Sequence, residues 1–235
     1  MKLYSASYKW QAMRARWRGY SLRQRAARLW NHLKNVRRYT GIDKSASSFV
    51  GQPIAYSLDL FFYILDIFWV GEIYETAAEW LKYSTRSLNA KERYIVKTLF
   101  GNAIDVERIR IDQLAITARL SKATYVGIYT INSFGEMSED LFVHELIHIW
   151  QYTRLGSVYI PRALRAQRST EGYNYGGIDQ LRLGDAEWMS YNYEQQGDIL
   201  ADYWRAKHGR LTRWNKDRVA VDDYLPFIEV LRTRC

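Results

Sequence analysis

Residues 140–152 read DLFVHELIHIWQY and hold two of the chain's four histidines, His144 and His148. The fold turns on whether this stretch is a helix, and its flanks predict one. The preceding SFGEMSED supplies turn chemistry and a cap at Ser138, and Gly156 closes the segment, so a helix is expected from Glu139 to Leu155. Residues four apart on a helix stand one above the other on the same face. Two imidazoles so placed can reach one metal ion at about 2.0–2.1 Å. Glu145 points about 100° away around the axis, beside the metal rather than on it, where a general base is wanted. Leu141, Phe142, Val143, Leu146, Ile147, Ile149 and Trp150 are apolar, so the helix is expected to be buried along most of its circumference.

A zinc site needs a third protein ligand and an open fourth position. The single cysteine, Cys235, is the last residue, which excludes a Cys-based zinc site and any intramolecular disulfide. The downstream candidates are Glu171, Asp179, Asp185, Glu187, Glu194, Asp198, Asp202 and His208. Among them, YNYEQQGDILADYW (191–204) reads as a second helix that puts Glu194, Gly197, Asp198 and Ala201 on one face. Gly197 and Ala201 are nearly without side chain and allow a neighbouring helix close approach. Glu194 could complete a His-His-Glu site, and Asp198 could accept the spare N–H of a ligand histidine and fix its tautomer. The competing reading of the pair is a solvated acidic stripe. His208 reads as a helix C-terminal residue rather than a ligand.

At this point HELIH, with Glu194 and Asp198 downstream, resembles the zincin metallopeptidases in their gluzincin (thermolysin-like) arrangement. The resemblance implies His144, His148 and Glu194 on Zn2+, Glu145 as base, and Asp198 orienting a ligand histidine. It also implies an α+β, zincin-like fold, mainly helical with a small sheet beside the HExxH helix, in which ATYVGIYTI (123–131) resembles the edge strand above the cleft. More narrowly, FVHELIHIWQ, YNYGG and NYEQQGDILADYW are similar to small bacterial zincin-like proteins associated with Rhs and type VI secretion spike proteins, over roughly 89–210. The spacing from His148 to Glu194 is longer than in thermolysin, and the motif is NYEQQ rather than NE. The implied activity is hydrolysis of peptide bonds through a zinc-activated water, on a protein or peptide substrate. A tetrahedral oxyanion needs an electrophile besides zinc. Tyr173, Tyr175, Tyr191 and Tyr193 lie in the right part of the chain, and Tyr175 is favoured because YNYGG has glycine freedom; an arginine or histidine could serve equally.

Charge is distributed unevenly. Residues 1–50 hold 12 Lys/Arg against one acid, a net of +11, while the other 185 are near neutral at −2. The basic arm (1–44) reads as amphipathic helices: Trp10, Met13, Trp17 and Tyr20 recur at helical spacing, as do Ala26, Leu29, Trp30, Leu33 and Val36. Its tryptophan faces are expected to pack on the body with the arginines in water. The functional alternative is contact with an anionic membrane, nucleic acid or an acidic partner, with nucleic acid the weakest of these. Residues 45–86 form a hydrophobic helical segment. Asp59, Asp66 and Glu72 interrupt every window of about 18 residues that a membrane span would need, so a buried helix with a polar edge is expected, or else a membrane-interface segment. Residues 87–235 form the metallopeptidase-like domain. After Met1-Lys2 there is no apolar signal region, which predicts a cytoplasmic location in the producing bacterium, any export using a signal-peptide-independent route. A second reading from another class keeps the fold without turnover: an interaction module or toxin that binds a partner, such as a secretion spike or Rhs-type protein, or a membrane through residues 1–44.

Overall fold

A computed structural model of the protein describes residues 22–35, 51–82, 85–183 and 187–232. Trp10, Met13, Trp17, Tyr20, Val36, Asp185 and Cys235 lie outside them. The architecture is α+β and mainly helical, with one small mixed sheet. In chain order it comprises α1 (Leu22–Lys34), α2 (Gly51–Ile67), α3 (Val70–Leu81), β1 (Thr85–Ser87), α4 (Ala90–Phe100), β2 (Arg110–Asp112), α5 (Ile116–Ser121), β3 (Tyr125–Val126), β4 (Thr130–Asn132), α6 (Glu139–Leu155), α7 (Tyr159–Gln167), α8 (Gly177–Arg182), α9 (Tyr193–Lys207) and α10 (Leu225–Arg232).

The central element is α6, bounded as its flanks predict. The Ser138 side chain accepts from the Leu141 amide, and Gly156, at φ 72°, ends the helix where a residue with a Cβ would be strained. Its middle is buried on all sides. Phe142, Val143, Leu146, Ile147, Ile149, Trp150 and Tyr152 join one core with Leu99 and Phe100 of α4, Ile111 and Ile131 of the sheet, Ile199 and Leu200 of α9, and Phe227 and Leu231 of α10. Full burial of each such side chain is worth about 1.5–3 kcal/mol. Helix α9 packs antiparallel along α6. At one end Trp204 Nε1 donates to Glu139 Oε2 at 3.1 Å and Arg205 pairs with Asp140; at the other Gln151 Nε2 donates to the Tyr193 carbonyl at 2.9 Å. Asn192 caps α9 through the amides of Glu194 and Gln195.

The sheet has strand order β1-β2-β4-β3, with only β2 and β4 parallel, paired in register Ile111 to Ile131. The segment 123–131, read in the sequence as one strand, is a hairpin. Gly127 N donates to Thr130 O across its turn, and the buried Glu75 of α3 accepts the amides of Ile128, Tyr129 and Thr130 at 2.7–2.9 Å through one oxygen. A carboxylate gathering three amides holds the turn closed. That leaves β3 at the sheet edge, in contact with α6.

The hydrophobic segment is two helices rather than one. Trp69 adopts a left-handed conformation (φ 53°), and the axes of residues 53–67 and 70–78 bend by 68°. Among the described residues no single helix is long and apolar enough to cross a membrane. The expected buried helix with a polar edge is inverted: Asp59, Asp66 and Glu72 are buried, each meeting an arginine, while Ile54, Phe61, Phe68 and Ile73 are exposed. Asp59 pairs with Arg162 and Arg165 of α7, and Asp66 and Glu72 with Arg25 of α1. Those last pairs reverse the expected orientation of α1. Arg25 is 2% exposed, whereas Trp30 is 57% exposed. Two buried carboxylates are costly without a counter-charge, so their demand outweighs the preference of one tryptophan for burial. Helix α1 thus lies antiparallel along α2, His32 stacking on Tyr56 at 4.3 Å and Arg25 reaching Asp66 at 2.9 Å.

Candidate metal centre

Helices α6 and α9 meet at three side chains. His144 and His148, one turn apart on α6, and Glu194, in the first turn of α9, are all buried, with ligand-type atoms within 4.8 Å of one another. His144 Nε2 lies 3.3 Å and His148 Nε2 3.7 Å from Glu194 Oε2. Both rings therefore aim the same nitrogen at one carboxylate oxygen.

What aims them sits behind. His144 Nδ1 is 2.9 Å from Asp198 Oδ1, and the other oxygen of Asp198 accepts from Trp214 Nε1 at 2.6 Å and Arg213 at 3.1 Å. His148 Nδ1 is 2.9 Å from Gln151 Oε1. The amide of Gln151 donates to the Tyr193 carbonyl and to Gln196 Oε1, and Gln196 in turn donates to the Trp188 and Tyr191 carbonyls. Each histidine thus has its Nδ1 engaged by an acceptor and its Nε2 turned to the cluster, the orientation that metal-ligating histidines take from their outer partners. Sequence reasoning singled out Asp198 but not Gln151, although Gln151 follows His148 by three residues and so shares its helix face.

Close helix contact makes this possible. A Cβ on Gly197 would meet the His144 ring at 2.5–2.8 Å, so the imidazole lies directly on the glycine.

The donor set suits a cation. Three buried carboxylates, Glu145, Glu194 and Asp198, surround two imidazoles. Burial alone would lower the pKa of His144, but its hydrogen bonds to the Asp198 and Glu194 carboxylates outweigh this and hold it up at about 10. His148 is raised in the same sense by Glu194. Glu194, which burial would raise, is held well below the usual carboxylate range by the two histidines. Glu145 differs: burial pushes its carboxyl up, and its Oε2 makes no hydrogen bond to the described residues. A buried carboxylate oxygen without a partner is costly unless a proton or ligand engages it. His144, His148 and Glu194 are therefore a group that could hold a metal ion, with an uncommitted acid-base group beside it.

The cluster lies in a cavity of about 830 Å³. The edge strand β3 forms one wall with residues 123–128, Phe62, Leu65, Val70 and Tyr74 of α2 and α3 a second, and Tyr159, Ile160 and Leu164 of α7 a third. Tyr173 also lines it, its ring 5.7 Å from His144. Tyr175 does not join the cluster. It is 2% exposed, and its hydroxyl donates to Asp202 Oδ2 at 2.7 Å and lies 2.9 Å from Tyr224 Oη. The buried Asp202 claims this hydroxyl, and consecutive odd-numbered tyrosines in YNYGG face different surroundings. Tyr191 is in the core, and Tyr193 Oη accepts from Arg162. His208 ends α9, its Nδ1 2.8 Å from the Trp204 carbonyl.

No family model matches the chain, and no solved structure matches it. Over an alignment of 137 positions the chain is 27% identical to the type VI secretion system spike protein VgrG2b of Pseudomonas aeruginosa (strain PAO1), covering 52% of this chain and 13% of that protein. The chain is a weak homologue of a small part of a type VI secretion spike protein.

Proposed function

We propose that this protein is a zinc-dependent metallopeptidase with a zincin-like fold, acting in the context of type VI secretion. The observation that carries the reading is the convergence of His144 Nε2, His148 Nε2 and Glu194 Oε2 beside a Glu145 carboxylate whose Oε2 is uncommitted. His-His-Glu is a set from which zinc takes three protein ligands and keeps a fourth position open. When bound there, zinc supplies Lewis acidity toward a peptide carbonyl and acidifies water.

The chain's own residues do the rest. Asp198 and Gln151 hold the two imidazoles in the tautomer that leaves Nε2 free to coordinate. Glu145 takes the proton of the attacking water and returns it to the leaving amine, a task suited to a carboxyl whose pKa burial raises. The edge strand β3, along one wall of the cavity, offers a surface for an extended peptide backbone. Tyr173 and Arg213, which also line the cavity, replace Tyr175 as candidates to stabilise the oxyanion.

The test pairs metal content with turnover. Elemental analysis should find about one zinc per chain in the wild type and almost none in a His144→Ala/His148→Ala variant. Glu145→Gln should keep the metal and lose cleavage of a peptide library. Equal, near-zero metal in both proteins would sink the metal centre. The spike-protein relative favours a second reading, a zincin-fold interaction module without turnover. In that case Glu145→Gln leaves the biological effect unchanged.

A further inference from the structure

We infer that the outward faces of α2 and α3 form a docking surface for an anionic lipid bilayer. In residues 53–78 the four charged side chains, Asp59, Asp66, Glu72 and Glu75, are all buried. The exposed positions are the reverse. Ile54, Leu58, Phe61, Ile64 and Phe68 follow one another at helical spacing along α2 and its end, and Val70, Ile73, Tyr74 and Ala77 do so along α3. Phe61 is 54%, Phe68 64% and Ile73 52% exposed, and the hydroxyls of Ser57 and Tyr74 are the polar side-chain groups among the exposed positions of residues 53–78.

Over residues 53–78 the carboxylates lie inside and the hydrocarbon outside, which inverts the pattern of a surface in water. A protein-binding patch has a polar rim and hydrogen-bonding groups among its apolar contacts. This face has few, and of its acids Asp59, Asp66 and Glu72 are neutralised inward by Arg162, Arg165 and Arg25, while Glu75 accepts backbone amides. The bend of 68° argues against a straight span and for helices lying in the headgroup region. Charge selects the lipid: residues 1–50, which lead into α2, carry a net +11, still +9 once Arg25 and Arg28, which pair with Asp66, are set aside, and Arg23 and Lys34 are exposed on α1 packed beside it. Basic segments of this kind are drawn to anionic headgroups. Val70 and Tyr74 also line the cavity that holds His144, His148 and Glu194, so docking would bring the cavity to the bilayer surface.

The full chain should sediment with phosphatidylethanolamine/phosphatidylglycerol vesicles, and Phe61→Glu/Phe68→Glu should reduce its partitioning about tenfold or more. Tyr94→Glu, on the exposed face of α4, should leave partitioning unchanged. Because the double variant could be destabilised, a second measurement uses a nitroxide at Phe61→Cys in a Cys235→Ser background. Adding vesicles should make it more accessible to oxygen and less accessible to a polar nickel chelate, with no such change for a nitroxide at Tyr94→Cys. Wild type that stays in the supernatant overturns the inference. So does a nitroxide at 61 that never leaves water, or one shielded equally without vesicles, which would mean that a second copy of the chain covers the face. Metal content reads out independently of vesicle binding, so failure here leaves the zinc reading standing, and the converse holds.

Discussion

Gly197 of α9 supports the imidazole of His144: a Cβ at 197 would stand 2.5 Å from His144 Cε1 and 2.7 Å from Nδ1. Retreat of the ring is opposed by Asp198, which holds its Nδ1. The glycine backbone is not in the left-handed region, so alanine is conformationally permitted there and would favour the helix by about 1 kcal/mol. Gly197→Ala is therefore expected to displace His144 or part the two helices. Zinc affinity should fall by about tenfold or more, with a smaller effect on Tm because the propensity gain offsets part of the clash. Titration of the metal-free protein with zinc, beside a thermal melt, checks this; unaltered affinity would show that His144 is not a ligand.

Asp198→Asn tests the aiming of the same ring. The carboxylate uses one oxygen for His144 Nδ1 and the other for Trp214 Nε1 and Arg213. An asparagine has one acceptor oxygen, so whichever way it turns, its NH2 faces a donor or deprives the histidine of its acceptor. Metal affinity should drop by about 10–100-fold. Stability of the metal-free protein should fall by about 1–3 kcal/mol. Gln151→Leu should have a similar effect through His148. Metal titration and urea denaturation of both variants decide the matter, and wild-type affinity in both would remove the aiming role.

How much of this was legible in the sequence follows from how local each signal is. Ser138, the His144–His148 spacing and Gly156 all act within one helix, and the structure has that helix with the expected cap and stop. Glu194, Gly197 and Asp198 were legible as one helix face, because a periodicity of 3.6 is also local. Arg25 was not, because its partners Asp66 and Glu72 lie 41 and 47 residues away, and a hydrophobicity pattern contains no information on which charge needs burial. The break in 123–131 was hidden for the same reason: Glu75, which gathers its amides, lies more than 50 residues earlier. Tyr175 and Tyr173 differ by two positions in a loop with no period, so only tertiary structure could tell which one turns to the cavity.

Arg25→Met keeps much of the volume but leaves Glu72 buried without its arginine, and Asp66 with only Arg28. Losing one partner of a buried charge cluster costs about 3–5 kcal/mol. The triple variant Arg25→Met/Asp66→Asn/Glu72→Gln should recover much of that loss, since no uncompensated charge remains. Urea denaturation of the two proteins gives the comparison. A single variant as stable as wild type would mean that α1 does not dock on α2 in solution.

Asp140, in the first turn of α6, carries a dependence on pH. Burial would raise its pKa, but the hydrogen bond and charge of Arg205 on α9 outweigh this, and the folded value lies below the ordinary one. A depressed carboxylate pKa stabilises the fold above the unfolded value of about 3.9, and that contribution is lost as pH falls through the folded value. Asp140→Asn should therefore be less stable than wild type at neutral pH, by about 1.5–3 kcal/mol for a hydrogen bond to a charged group. The two proteins should converge as pH falls from about 4 through the folded value, because every other titrating group is common to both. Parallel urea titrations across that range give the difference directly. A gap that stays constant into acid would mean that Asp140 contributes through packing and not through its charge.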